Sequence, residues 1–194
     1  MRWFNTPERW GAVAQFLHWA IALLIVAAAS LSFTAEQMGF SPTKVEVFLW
    51  HKSIGLTILG LVIIRVLWRF ANPRPRLPAG FKPWERWAAH GGHLAIYLLL
   101  FAMPLSGWVI NSAANFPFEW FHLVPVPNIV APSEQTQDLA EAVHGTLFWI
   151  LAAVVAIHVA AALKHHFIDR NDILRRMLPW GNARHPSSLE ESRS

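Results

Sequence analysis

Residues 142–163 read AVHGTLFWILAAVVAIHVAAAL. The run carries no formal charge and is long enough, as a helix, to cross a hydrocarbon core about 30 Å thick. His144 and His158 stand inside it, fourteen residues apart. At about 100° per residue their rings fall within roughly 40° of each other and about 21 Å apart along the axis. An imidazole in hydrocarbon is expensive, so it needs a partner or a task.

Three more apolar runs lie outward from this one, at about 12–33, 47–70 and 91–112. His18 lies in the first and His51 in the second. The expected fold is therefore all-α, an integral membrane four-helix bundle, with one domain over about 6–180 and a disordered cytoplasmic tail over 181–194. Composition agrees: 54% of the 194 residues are hydrophobic, and 11 Trp and 13 Phe are more than a soluble domain of this size carries. There is no cysteine, which removes disulfides, Cys-ligated iron–sulfur clusters and covalently attached c-type haem. The net charge of +4 could suggest nucleic acid, but the charges flank apolar spans and form no basic stripe, so no nucleic-acid partner is expected. Membrane lipid is the expected surroundings, and a homo-oligomer is compatible with the sequence.

Fourteen of the 16 basic residues lie before the first span, between the second and third, or after the fourth. The opposite side keeps Lys44 and Lys52 beside Glu36, Glu46, Glu119, Glu134, Asp138 and Glu141. Both termini are expected in the cytoplasm. The first span is too long for a signal-peptide core and three spans follow it, so cleavage is not expected. Pro104 should bend the third span or mark a local packing change. The second connection is Pro-rich and basic, and predicts an extended piece followed by a short interfacial helix around Trp84 and Trp87. The third, about 113–141, is long and aromatic and can fold over the outer mouth of the bundle. Ile173, Leu174, Met177 and Leu178 against Arg175 and Arg176 predict one or two amphipathic turns on the membrane surface.

In this topology the histidines match by depth. His18 and His158 lie near the cytoplasmic face, His51 and His144 near the outer one. Each pair can supply both axial ligands of one haem. Two axial imidazoles leave iron without an open position, which favours outer-sphere electron transfer over oxygen binding. Zinc is disfavoured, because the pairs lie about 20 Å apart by helical rise and a zinc site gathers its ligands at one point. Gly55, Gly60, Gly145, Ala152 and Ala156 supply small side chains near the ligands.

Other polar residues have two readings each. His90 and His93 share a helix face and suit quinone binding or proton delivery, or are simply interfacial. Arg65 and Arg69 suit the propionates of the inner haem, or only set topology. Lys52 can attract an anion or a propionate at the outer haem, or snorkel to the headgroups. His122 reads as a loop histidine, His165 and His166 as interfacial, and His185 as inert. The tryptophans near the span ends read as interfacial belts.

Several pieces together resemble the bacterial cytochrome b561 family of four-helix di-haem proteins, related to the cytochrome b subunits of nickel–iron hydrogenases. They are Phe16-Leu17-His18-Trp19, Trp50-His51-Lys52-Ser53-Ile54-Gly55, His93-Leu94-Ala95-Ile96-Tyr97, Met103-Pro104-Leu105-Ser106-Gly107-Trp108, and His144 with His158. The resemblance covers about 6–180. It implies that His18, His51, His144 and His158 ligate two haem b groups, that the chain lies in the bacterial inner membrane as a multi-pass protein, and that it exchanges electrons with quinone. Some members are similar to superoxide oxidases, which pass electrons from periplasmic superoxide to ubiquinone. Others are electron-transfer subunits serving a dehydrogenase or a periplasmic redox partner. The expectation is the first, an oxidoreductase acting from superoxide to ubiquinone, with the subunit as alternative. Because the outer side is net acidic, steering of the superoxide anion would fall to Lys52, aided by Lys44.

Overall fold

The computed structural model describes residues 3–76 and 82–178. The tail expected to be disordered, with His185, lies outside the described residues. The chain forms four long helices: α1 (Ala12–Glu36), α2 (Pro42–Ala71), α3 (Pro83–Ala113) and α4 (Glu134–Phe167). A two-residue strand pair, β1 (Glu119–Trp120) and β2 (Val124–Pro125), follows α3, and a short α5 (Ile173–Met177) follows α4. All four long helices are long and apolar enough to cross a membrane. The architecture is an all-α four-helix membrane bundle.

Every long helix outruns its apolar stretch, because backbone caps and not hydropathy set its ends. Ser41 caps α2 by accepting from Lys44 N (3.2 Å), with Pro42 in the first turn. Ser133 caps α4 by accepting from Thr136 N (3.2 Å), so α4 starts well before the apolar run at 142. The separate interfacial helix expected around Trp84 and Trp87 is corrected: those residues form the first turns of α3 itself. Pro83 opens that helix and the Glu85 carboxylate accepts from Lys82 N (3.0 Å), closing its start. α3 continues through Pro104. Just beyond it the Ser106 hydroxyl donates to Met103 O (2.8 Å).

α1 packs on α2, α2 on α3, and α3 on α4. Their shared core is Ile21, Ala28, Ile58, Val62, Leu99, Leu100 and Leu151. Few side chains are buried, and the outward ones are large and apolar: Leu23, Leu67, Leu98, Trp149 and Ile157 are all more than 60% exposed, as lipid-facing residues must be.

At the end where the termini meet, the backbone is tied by polar side chains. Asn5 donates to Pro73 O (3.0 Å) and accepts from Gly11 N (2.9 Å). Any Cβ at Gly11 would strike the backbone of Trp3 and Phe4, so this turn needs glycine. The amphipathic turns expected after α4 form α5, and its end is tied back to the start of the chain. Gln15 Nε2 donates to Arg176 O (3.0 Å), Trp19 Nε1 to Met177 O (3.0 Å) and Arg9 Nη2 to Leu178 O (2.9 Å). The end of α5 offers carbonyls without helical partners, and the polar groups of α1 need acceptors. Lys164 bridges Asp169 (2.8 Å) and Glu85 (3.4 Å), joining the end of α4 to the start of α3. The hydrogen bond from Lys164 holds the exposed Asp169 carboxyl below its ordinary value. That tie is present at neutral pH and is lost only as pH falls through the lowered value.

At the opposite end the third connection folds over the bundle, as its length and aromatic content suggested. Trp120 Nε1 donates to Thr57 Oγ1 (3.1 Å) and Phe121 N to Ser53 Oγ (3.0 Å), both on α2. Trp108 Nε1 donates to Pro127 O (2.9 Å). Phe121 and His122 turn the hairpin with φ of 50° and 58°, a left-handed conformation that bulky residues rarely adopt.

Candidate functional site

The four span histidines come together as two pairs. His51 on α2 and His144 on α4 have ring centres 6.3 Å apart, with planes at 75°. His18 on α1 and His158 on α4 are also 6.3 Å apart, at 66°. The pairing is the one that depth suggested. Leu151, in the core cluster, lies midway between His144 and His158 on α4. The two pairs thus occupy separate levels with apolar packing between them.

The separation has a physical meaning. A metal–imidazole bond of about 2.1 Å plus about 1.1 Å from nitrogen to ring centre, taken twice, gives about 6.4 Å. Both pairs therefore fit an iron-centred group held from two sides. The first pair also has its tautomers set. His51 Nδ1 lies 2.8 Å from Ala28 O, which can only accept, so Nδ1 carries the proton and Nε2 keeps its lone pair. His144 Nδ1 lies 2.9 Å from Ser106 Oγ, whose own proton goes to Met103 O, with the same result. Such outer hydrogen bonds are what orient a ligating imidazole. His18 and His158 touch Trp19 and His93 instead.

The glycines bear on the space available. A Cβ added at Gly55, Gly60 or Gly145 meets nothing within 4 Å, so open room adjoins each. Gly107 differs: its added Cβ would lie 3.3 Å from His144 Cε1. Sequence reading quoted Gly107 but gave it no role. It lets α3 approach the His144 ring closely. Gly107→Ala is expected to shift the redox midpoint or electron paramagnetic resonance signal of one haem and spare the other. Unchanged values for both would mean that the ring has room to give.

Basic residues lie on α2 near both levels, Lys52 next to His51 in sequence and Arg65 and Arg69 toward the other end. Lys52 Nζ donates to Asn111 Oδ1 (2.8 Å) and sits 4.5 Å from the centre of the Phe116 ring, with Phe118 at 5.9 Å. The lysine is turned inward, not snorkelled outward. Arg65 donates to Ala14 O (2.8 Å) and to Tyr97 OH (3.2 Å). Arg69 lies over Trp10 (6.0 Å) and Tyr97 (5.8 Å). Among the described residues, no carboxylate lies within 4.0 Å of Lys52, Arg65 or Arg69. Half-buried cations without an acid partner are suited to anionic groups brought by a ligand.

The remaining histidines divide. His93 is 5.4 Å from His158, ring centre to ring centre, and its Nδ1 meets Ala89 O (2.6 Å). His90 makes the same kind of bond to Arg86 O (2.6 Å), and both histidines are exposed, but His90 makes no such ring contact among the described residues. The structure therefore brings His93 to the His18–His158 level and leaves His90 at the rim. His122, read as an idle loop histidine, pairs with Glu46 (3.0 Å), which also accepts from Trp50 Nε1 (2.7 Å).

Comparison with known proteins agrees with this arrangement. Residues 9–180 match the family described as prokaryotic cytochrome b561. Cytochrome b561 homolog 2 of Escherichia coli is 38% identical over 182 residues, covering 92% of this chain and 95% of that protein. The probable superoxide oxidase CybB of Yersinia pestis is 31% identical over 165 residues, covering 84% and 92%. Cytochrome b561 homolog 1 of E. coli is 28% identical over 179 residues, covering 89% and 98%. With four apolar helices, paired imidazoles and a match over nearly its whole length, the chain belongs to the prokaryotic cytochrome b561 family.

Proposed function

We propose that this chain binds two haem b groups, one between His51 and His144 and one between His18 and His158, and passes electrons from periplasmic superoxide to ubiquinone in the inner membrane. The family is a membrane electron-transfer family whose members bind haem b. The observation that carries the count of two is the equal 6.3 Å separation of both imidazole pairs. When bound, haem held between these imidazoles would supply a one-electron centre. The chain's own residues hold and orient it: Ala28 O and Ser106 fix the outer rings, and Arg65 and Arg69 stand ready for propionates at the inner level. His93, beside His158, is the better placed of the two quinone or proton-delivery candidates, with His90 further out. Both termini face the cytoplasm in this reading, which the distribution of Arg and Lys supports.

The overall reaction balances. Two superoxide ions each lose one electron and become two O2, and one ubiquinone gains two electrons and two protons and becomes ubiquinol. The probable superoxide oxidase among the relatives supports the choice of donor. Anaerobic stopped-flow mixing of the oxidised holoprotein with superoxide tests it. Haem absorbance should move to the reduced form, and added ubiquinone should reverse it.

One observation favours a second reading, an electron-transfer subunit with a protein partner. Lys52 lies against Asn111 and two phenylalanines, while the hairpin tip exposes Leu123 (75%) and Val124 (53%). Absence of reduction by superoxide, with stable co-purification of another redox protein, would establish that reading in place of the first.

A further inference from the structure

Beyond the haem levels, a cavity of about 350 Å³ opens where α4 ends, lined by His166, Phe167, Arg170, Asn171, Asp172 and Arg175. Two guanidiniums face one carboxylate there. Among the described residues neither Arg170 nor Arg175 has a side-chain hydrogen-bond or ion-pair partner, whereas Asp172 is already engaged. His166 Nδ1 is buried without a partner. Arg170 has φ 51° at the turn that closes α4, where Asn171 N reaches back to His165 O (3.0 Å). Glycine is the favoured residue at such a turn, and a side chain there costs conformational energy. An arginine stands there in spite of that cost.

The position within the membrane narrows the ligand. α4 is a membrane span, so its last turn lies at headgroup depth. Phe167 and Ile168 are 68% and 73% exposed beside the cavity, an apolar surface for acyl chains. Basic pockets at this depth hold anionic lipid headgroups. We propose that this pocket binds the phosphate of an anionic phospholipid, held by Arg170 and Arg175, with its chains along Phe167 and Ile168. The site is separate from both histidine pairs and does not depend on the electron donor or acceptor.

Native mass spectrometry of the full holoprotein, released from detergent with phosphatidylglycerol or phosphatidylcholine, reads the binding directly. Each arginine near a headgroup contributes about 1 kcal/mol, about fivefold in affinity. Phosphatidylglycerol should therefore be retained well above phosphatidylcholine. Arg170→Gly and Arg175→Gln should each lower its affinity about fivefold. Arg170→Gly relaxes the backbone, so its loss of lipid cannot be laid to misfolding, and an unaltered haem spectrum verifies the fold. Equal retention of both lipids by the native protein would overturn the proposal. So would native lipid affinity in Arg170→Gly. Displacement of the lipid by millimolar inorganic phosphate would also overturn it, by assigning the pocket to a free anion.

Discussion

Purified His144→Ala protein is expected to carry about one haem per chain where the native protein carries two. His144 and His51 approach one group from opposite helices, and an imidazole taken from one side leaves the other a single weak hold. The level of His18 and His158 is separated from them by Ile58, Leu99, Leu100 and Leu151, so it should load normally. Haem content per chain and the low-spin reduced spectrum measure both points. Ser106→Ala should act in the same direction but more weakly, because it removes only the bond that orients His144, the kind of outer partner whose loss costs 10- to 100-fold in metal affinity. Two haems retained in His144→Ala would remove His144 as a ligand. Two haems retained in a variant lacking all four span histidines would end the di-imidazole reading altogether.

The second large effect concerns Lys52. Superoxide is an anion, and the outer side carries more acids than bases. A unit charge about 8 Å from the encounter point, at an effective dielectric of about 20, is worth about 2 kcal/mol. Lys52→Gln should therefore slow superoxide-driven haem reduction about tenfold or more, with haem content and reduction by dithionite unchanged. Asn111→Asp offers an independent check: it places a carboxylate where Oδ1 now meets the ammonium at 2.8 Å and cancels the field while the lysine stays. Lys44, whose ammonium bonds Met38 O (3.1 Å), should matter less. The native advantage should shrink only modestly as salt rises, since the half-buried Lys52 is screened less than an exposed charge. Native rates in the Lys52 and Asn111 variants would remove the steering role.

Much of this was legible in the sequence, and for physical reasons. A membrane span must satisfy its backbone internally, so four apolar runs could only be helices. Depth follows from rise per residue, so the histidine pairs followed from topology. The helices run beyond the apolar spans because caps, not hydropathy, set where a helix starts. Ser41-Pro42, Pro83 with Glu85, and Ser133 were all present as start signals. The partners of Lys52 and His93 were not legible, because they depend on how α2 and α4 are rotated against α3. The hairpin at Glu119 to Pro125 was hidden for another reason. Its turn residues, Phe121 and His122, are not ones that mark a left-handed turn, and tertiary bonds to Ser53 and Thr57 hold it in place.

The placement of His144 and His158 on one helix also determines which genetic changes this protein can absorb. Between them, Leu151 is the only buried side chain. Apolar exchanges at outward positions such as Trp149 and Ile157 meet lipid and leave both rings where they are, whereas Leu147, Val154 and Val155 pack against the core. A single inserted or deleted codon between them is a different matter, since it swings one ring by about 100° and moves it about 1.5 Å along the axis. Drift on the outward face of this stretch should therefore run freely through side-chain identity while its length stays fixed, as in the shaft of a gauge whose finish can vary but whose span cannot.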